Sequence, residues 1–184
     1  MATPATSATD ATDERRVPHA ILIGLPGAGK STVGRRVAKV LGREFLDFND
    51  EIARREGKSI ADIFAEHGED YFRGLEADLT RTLARRSGIV AAPGGGWICQ
   101  PGNRELLGGT GRTIYLRVTP EAVFQRLRRI SERPLLAAGD PLEKLRDLYA
   151  ARRGAYESAD YVVDAENLTK EQLITEVARI AAAF

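Results

Sequence analysis

Apolar and polar positions alternate in blocks along this chain, and the blocks have two different periods. Residues 19–24, His-Ala-Ile-Leu-Ile-Gly, are a short apolar run closed by glycine, as expected of a strand buried on both faces. From Ser31 to Leu41 the period changes. Val33, Val37, Ala38 and Leu41 recur at helical spacing, Arg35, Arg36 and Lys39 occupy the other face, and Gly42 ends the run. The same alternation continues downstream. Strands are expected at 44–48, 87–92, 113–118 and 160–164, and helices from Asp50 to near Gly57, from Ser59 through Ala65, from about Glu69 to Arg86, from Pro120, and from Thr169 to Ala183. Ser59-Ile-Ala-Asp62 has capping-box spacing. Strands alternating with helices imply an α/β, three-layer fold: a five-stranded parallel sheet with helices on both faces.

In such sheets ligands sit beyond the carboxyl ends of the strands. Three polar or glycine-rich stretches follow directly on strands here, Gly24–Ser31, Asp47–Asp50 and Gly94–Gly96, so they should converge on one site. The first of them, Gly24-Leu-Pro-Gly-Ala-Gly-Lys-Ser31, matches G-x-x-x-x-G-K-[ST] between a strand and a helix. In a P-loop of this kind the glycines let the backbone wrap a phosphate chain and its N–H groups point at phosphate oxygens. Lys30 offsets developing charge, and Ser31 can ligate Mg²⁺. Gly27, Ala28, Gly29, Lys30, Ser31 and Thr32 are therefore the expected ATP contacts. Asp47, at the end of the second strand, is the best carboxylate to orient water at the magnesium; the alternative is a surface Asp that starts a helix.

Composition narrows the class. With 184 residues, 43% of them hydrophobic, the chain suits one domain, read as residues 18–184 behind a disordered tail at 1–17 rich in Ala, Thr, Ser and Asp. The 27 basic and 26 acidic residues give a formal net charge of +1, with no bulk field to mark a nucleic-acid or membrane partner. A single cysteine, Cys99, excludes an intrachain disulfide, and no apolar run is long enough to span a bilayer, so a cytoplasmic protein is expected, with monomer the default for this size.

Beyond the P-loop, the chain resembles the shikimate kinase family over nearly everything from Ala20 to Ala183. The marks are Gly24–Thr32, Phe45-Leu-Asp-Phe-Asn-Asp-Glu-Ile52, Gly57-Lys-Ser-Ile-Ala-Asp-Ile-Phe64, Tyr71-Phe-Arg73 with Glu76, Gly94-Gly95-Gly96, Arg133-Pro-Leu-Leu136, and Arg152 followed by Tyr156. The resemblance implies ATP-dependent phosphorylation of a hydroxyl of shikimate, with ATP and Mg²⁺ as cofactors. It implies that Arg73 and Arg152 grip the substrate carboxylate while Glu76 braces the arginines, in keeping with the paired hydrogen bonds a guanidinium gives a carboxylate. It further implies that Gly94, Gly95 and Gly96 let substrate approach the backbone, that Arg126 lies against the adenine, and that a lid at about 126–140 carries Arg133 over the transferring phosphate. Read without the family, Arg126, Arg128 and Arg129 are a solvated helix face.

One position departs from the family pattern. Where the family places a second Asp two residues after the magnesium-associated one, this chain has Asn49, which can hydrogen-bond a hydroxyl but cannot take its proton near neutral pH. Lys30, Arg133 and Asn49 are the expected catalytic set. Several readings of Asn49 stay open at this point: a base that is dispensable at reduced rate, Asp50 as a stand-in, a related polyol acid such as gluconate as acceptor, a substitution introduced to trap a complex, or a nucleotide-binding relative that has lost turnover. Trp97, after the triple glycine, could form a wall of the site or pack in the core.

Overall fold

A computed structural model describes residues 16–127 and 140–184. In chain order its elements are β1 (His19–Ile23), α1 (Lys30–Leu41), β2 (Phe45–Asp47), α2 (Phe48–Glu56), α3 (Ile60–Ala84), β3 (Val90–Ala92), a 3-10 turn (Trp97–Cys99), α4 (Asn103–Leu106), β4 (Gly111–Arg117), α5 (Pro120–Leu127), α6 (Pro141–Glu157), β5 (Tyr161–Asp164) and α7 (Lys170–Ala182). The five strands form one parallel sheet in the order β2-β3-β1-β4-β5. Parallel neighbours need long crossovers, and the helices supply them.

β1 is central, and all five of its residues are buried. Ala20 lies opposite Val90 on one side and Arg112 on the other. Ile21, Leu22 and Ile23 each remove a large aliphatic side chain from water, about 1.5–3 kcal/mol apiece before chain entropy is set against it. α1 packs against α7, and α5 against α6. These contacts fix the helices around the sheet and leave its carboxyl edge open for the loops that follow β1, β2 and β3.

The strands predicted from sequence are all present, with ends shifted by a few residues. The two helices expected on either side of Gly68 run on as α3, but Gly68 sits at φ 79°, ψ −179°, so the segment is two helical rods meeting at a kink. α2 begins at Phe48 instead of Asp50, which turns Asp47 into its N-cap. α6 was not anticipated: it starts from the Asp140 cap with Pro141 in its first turn, and buries only Leu145 and Tyr156 fully. The Val17 carbonyl, at the end of the stretch read as a tail, accepts the Gly88 N–H at 2.7 Å. Most of the expected tail and residues 128–139 of the expected lid lie outside the described residues. Among those described, no helix is long and apolar enough to cross a membrane.

Candidate active site

The loop after β1 is built to receive an anion. Gly24, Gly27 and Gly29 have φ of 142°, 84° and 96°, a path closed to ordinary L-residues, and Gly29 is the left-handed N-cap of α1. That helix start has no side-chain cap and no acid in its first turn, so its N–H groups and dipole are directed outward at a phosphate-sized site. Lys30 Nζ donates to the carbonyls of Gly24 at 2.9 Å and Leu25 at 3.0 Å, which holds the ammonium at the neck of the loop.

The end of β2 meets the loop there. Ser31 Oγ donates to Asp47 Oδ2, while Asp47 Oδ1 accepts the N–H groups of Asn49 at 3.0 Å and Asp50 at 3.2 Å. Asp47 therefore combines both sequence readings, helix cap and candidate metal carboxylate. The pair suits Mg²⁺, a hard cation that takes one or two protein oxygens and completes its shell with phosphate and water. Among the described residues there is no cluster of three or more His, Cys, Asp or Glu that could cage a metal.

A cleft of about 700 Å³ runs from the P-loop to the third strand's loop, and every described candidate lines it: Gly27 to Thr32, Asp47, Asn49, Arg73, Gly94 to Gly96, Arg126 and Arg152. Arg133 lies outside the described residues. At the far end Arg73 Nη1 donates to Glu76 Oε2 at 2.6 Å, while its Nε and Nη2 donate to Glu69 Oε1 at 3.1 and 2.8 Å. This is no surface pair, since the Arg73 side chain is 16% exposed and that of Glu76 0%. Burial pushes the Glu76 carboxyl above its usual range, against the pull of Arg73. Among the described residues Glu76 Oε1 finds no hydrogen-bond partner, though the Gly94 amide pulls the Glu76 carboxyl down electrostatically.

The glycine run has a reason that sequence alone did not show. A Cβ on Gly94 would lie 2.8 Å from Glu76 Oε1, and one on Gly96 2.6 Å from Arg73 Nη2. On Gly95 it would be 3.0 Å from Pro26 Cδ and 3.2 Å from the Gly24 carbonyl. The three residues lack side chains because Arg73, its brace and the P-loop press directly on their backbone. Tyr156, fully buried and stacked on Tyr115 with centroids 5.2 Å apart, donates to the Gly95 carbonyl at 2.7 Å, and burial pushes its phenol up to about 12.

Three readings are corrected or settled by these contacts. Asp50 does not stand in for a base: its carboxylate accepts from Arg35 Nη2 at 2.6 Å on α1, whereas Asn49 is the residue at the cleft. Trp97 is core, 0% exposed, with its indole Nε1 donating to Thr80 Oγ1 at 2.9 Å. Arg126 Nη2 donates to the Ala165 carbonyl at 3.1 Å, which draws it to the cleft beside Leu168 and Lys170 and away from a purely solvated role. Sequence reading missed that stretch, and also the apolar wall of Ile60, Phe64 and Phe72 and the second brace Glu69. Glu69 was detectable, four residues before Arg73 on a helix.

The shikimate kinase family model matches residues 26–182. The chain belongs to the shikimate kinase family. The shikimate kinase of Cupriavidus pinatubonensis is 44% identical over 161 residues, 87% of this chain and 84% of that protein; that of Burkholderia thailandensis is 46% identical over 154 residues, 82% and 84%. Among solved structures, the shikimate kinase from Acinetobacter baumannii in complex with shikimate superposes with a TM-score of 0.83 at 40% identity, covering 91% of this chain and 94% of that one. A gluconokinase from Sinorhizobium meliloti, at 20% identity and a TM-score of 0.58, shares the fold. The shikimate kinases thus share sequence and fold with this chain nearly end to end over the described core, whereas gluconokinase shares architecture alone.

Proposed function

We propose that this protein transfers the γ-phosphoryl group of ATP to a hydroxyl of shikimate, with Mg²⁺ bound through Ser31 and Asp47. The observation that carries the reading is the two-ended cleft: an anion-receiving loop at one end, and at the other Arg73, braced by buried Glu76, facing the same space as Arg152. Two guanidinium groups suit a planar carboxylate, and the triple-glycine wall admits a compact ring beside them.

Each residue then has a defined task. The P-loop amides and the α1 N-terminus grip the phosphates, and Lys30 stabilises charge on the transferred group. A bound magnesium ion supplies charge neutralisation there. Arg73 and Arg152 orient the acceptor, and Arg126 borders the nucleobase end. The acceptor hydroxyl oxygen forms the new bond to phosphorus as the bond to the leaving ADP oxygen breaks. Asn49 holds that hydroxyl by hydrogen bond without removing its proton, which passes to product phosphate or solvent. A loose transition state tolerates this, because most of its stabilisation comes from position and charge. Arg133 keeps the phosphate-closing role that the family resemblance implies.

The experiment is ADP release by purified protein with MgATP, with and without shikimate, beside gluconate and a nucleoside monophosphate. Shikimate-dependent release is expected; release only with another acceptor would overturn the assignment.

A further inference from the structure

Trp97 occupies a junction that the reaction as described does not use. Its indole Nε1 donates to Thr80 Oγ1 at 2.9 Å, and the Thr80 hydroxyl donates to the Glu76 carbonyl at 2.7 Å. Its own N–H closes the glycine turn on the Gly94 carbonyl at 3.0 Å. Trp97 therefore ties the glycine loop to the turn of α3 that carries Glu76, which holds Arg73 Nη1 at 2.6 Å. From the other side, the Tyr156 hydroxyl donates to the Gly95 carbonyl, and Tyr156 follows Arg152 by four residues on the same face of α6. Two arginines on separate helices are thus each referenced to one three-residue loop. Filling a core needs only apolar volume, but an indole N–H donated to a buried hydroxyl is directional, and removing the hydroxyl leaves the buried N–H unsatisfied.

We propose that Trp97, acting through Thr80, is a positioning residue for the acceptor: it fixes the glycine loop against α3 so that Arg73 meets the same carboxylate as Arg152. This role rests on shikimate being the acceptor. The test uses the full chain and three variants, Thr80→Val, Thr80→Ser and Trp97→Phe, in the ADP-release assay with the KM for shikimate and for ATP measured separately. Losing one buried, directional bond should raise the shikimate KM about five- to tenfold in Thr80→Val and in Trp97→Phe, with the ATP KM unmoved. Thr80→Ser, which keeps the hydroxyl, should match wild type, and combining the two damaging changes should be no worse than the worse single one. If Trp97→Phe fails to fold, the Val and Ser variants of Thr80 decide. Lower melting temperatures with both KM values unchanged would reduce Trp97 to packing and overturn the proposal, as would a rise in ATP KM alongside that for shikimate. Wild-type protein silent with shikimate would instead bring down the acceptor assignment, and this role with it.

Discussion

Replacing Asn49 with aspartate tests the chemistry at its weakest point. The change is isosteric, and the helix start should survive it, because the Asn49 contact that matters for folding is its backbone N–H on Asp47 Oδ1. The side chain is exposed at the cleft, its Oδ1 3.8 Å from where a Cβ on Gly94 would sit. A positioned general base contributes about 10²–10⁴ in rate where proton transfer limits, and less where a loose transition state delays it, so Asn49→Asp should raise kcat for shikimate by about 10–10³-fold. That equals about 1.4–4 kcal/mol. Against it stands repulsion from Asp47 and the phosphates, about 1 kcal/mol or less at a solvated position, so the gain should win. The assay is kcat against pH. The variant should acquire an acidic limb as the new carboxylate protonates, displaced upward by the neighbouring negative charge, and the wild type should lack that limb. An unchanged or lower kcat with no new limb would show that the site is built around the amide.

Three further outcomes follow from the geometry. Lys30→Ala should lower turnover by about 10²-fold or more with the fold kept, since Lys30 acts on phosphate charge at a surface cleft; intact activity would refute the P-loop assignment. Gly96→Ala should fold, as φ −94° suits alanine, yet displace the Arg73 guanidinium 2.6 Å from the new methyl. It should raise the shikimate KM by about tenfold without moving that for ATP, so equal KM values would contradict the contact. His19 is fully buried, with Nδ1 accepting the Ile89 N–H at 3.1 Å, and burial holds its pKa below the usual 6.5, outweighing the backbone carbonyls of Arg86 and Leu83 that pull it up. The unfolded chain then takes up the proton first as pH falls, so His19 contributes stability above pH 6.5 that is lost below it. Melts at about pH 7.5 and about pH 5.5 should show the drop, and His19→Gln should flatten it.

Much of this architecture is written in local pattern, and the exceptions have physical causes. The P-loop and its flanking strand and helix were legible because each rule that specifies them spans only a few residues: apolar run, glycines, helical period. α6 escaped because its buried face is thin: only Leu145 and Tyr156, eleven residues apart, are fully buried, leaving almost no periodicity to read. The strand order could not be read at all, since β1 pairs with β3 and β4 across long stretches of chain. In the site, Arg73, Glu76 and Arg152 were recognisable by type and spacing, but the purpose of the triple glycine lies in contacts with residues distant in sequence, Arg73 and Glu76 on α3 and Gly24 and Pro26 in the P-loop. Burial likewise decided Trp97, which alone of the two readings left open for it hydrogen-bonds inward.

The two oxygens of Asp47 bear on how variants of this enzyme should be read. One caps α2 and the other meets Ser31, so selection for folding alone would retain Asp47 even in a protein that no longer turned over. The Asn49 side chain, exposed and taking no part in those capping bonds, which use only its backbone N–H, has no such second employer. In a set of related sequences, an aspartate at position 47 would therefore say little about activity, whereas the residue at 49 would be free to record the demands of chemistry.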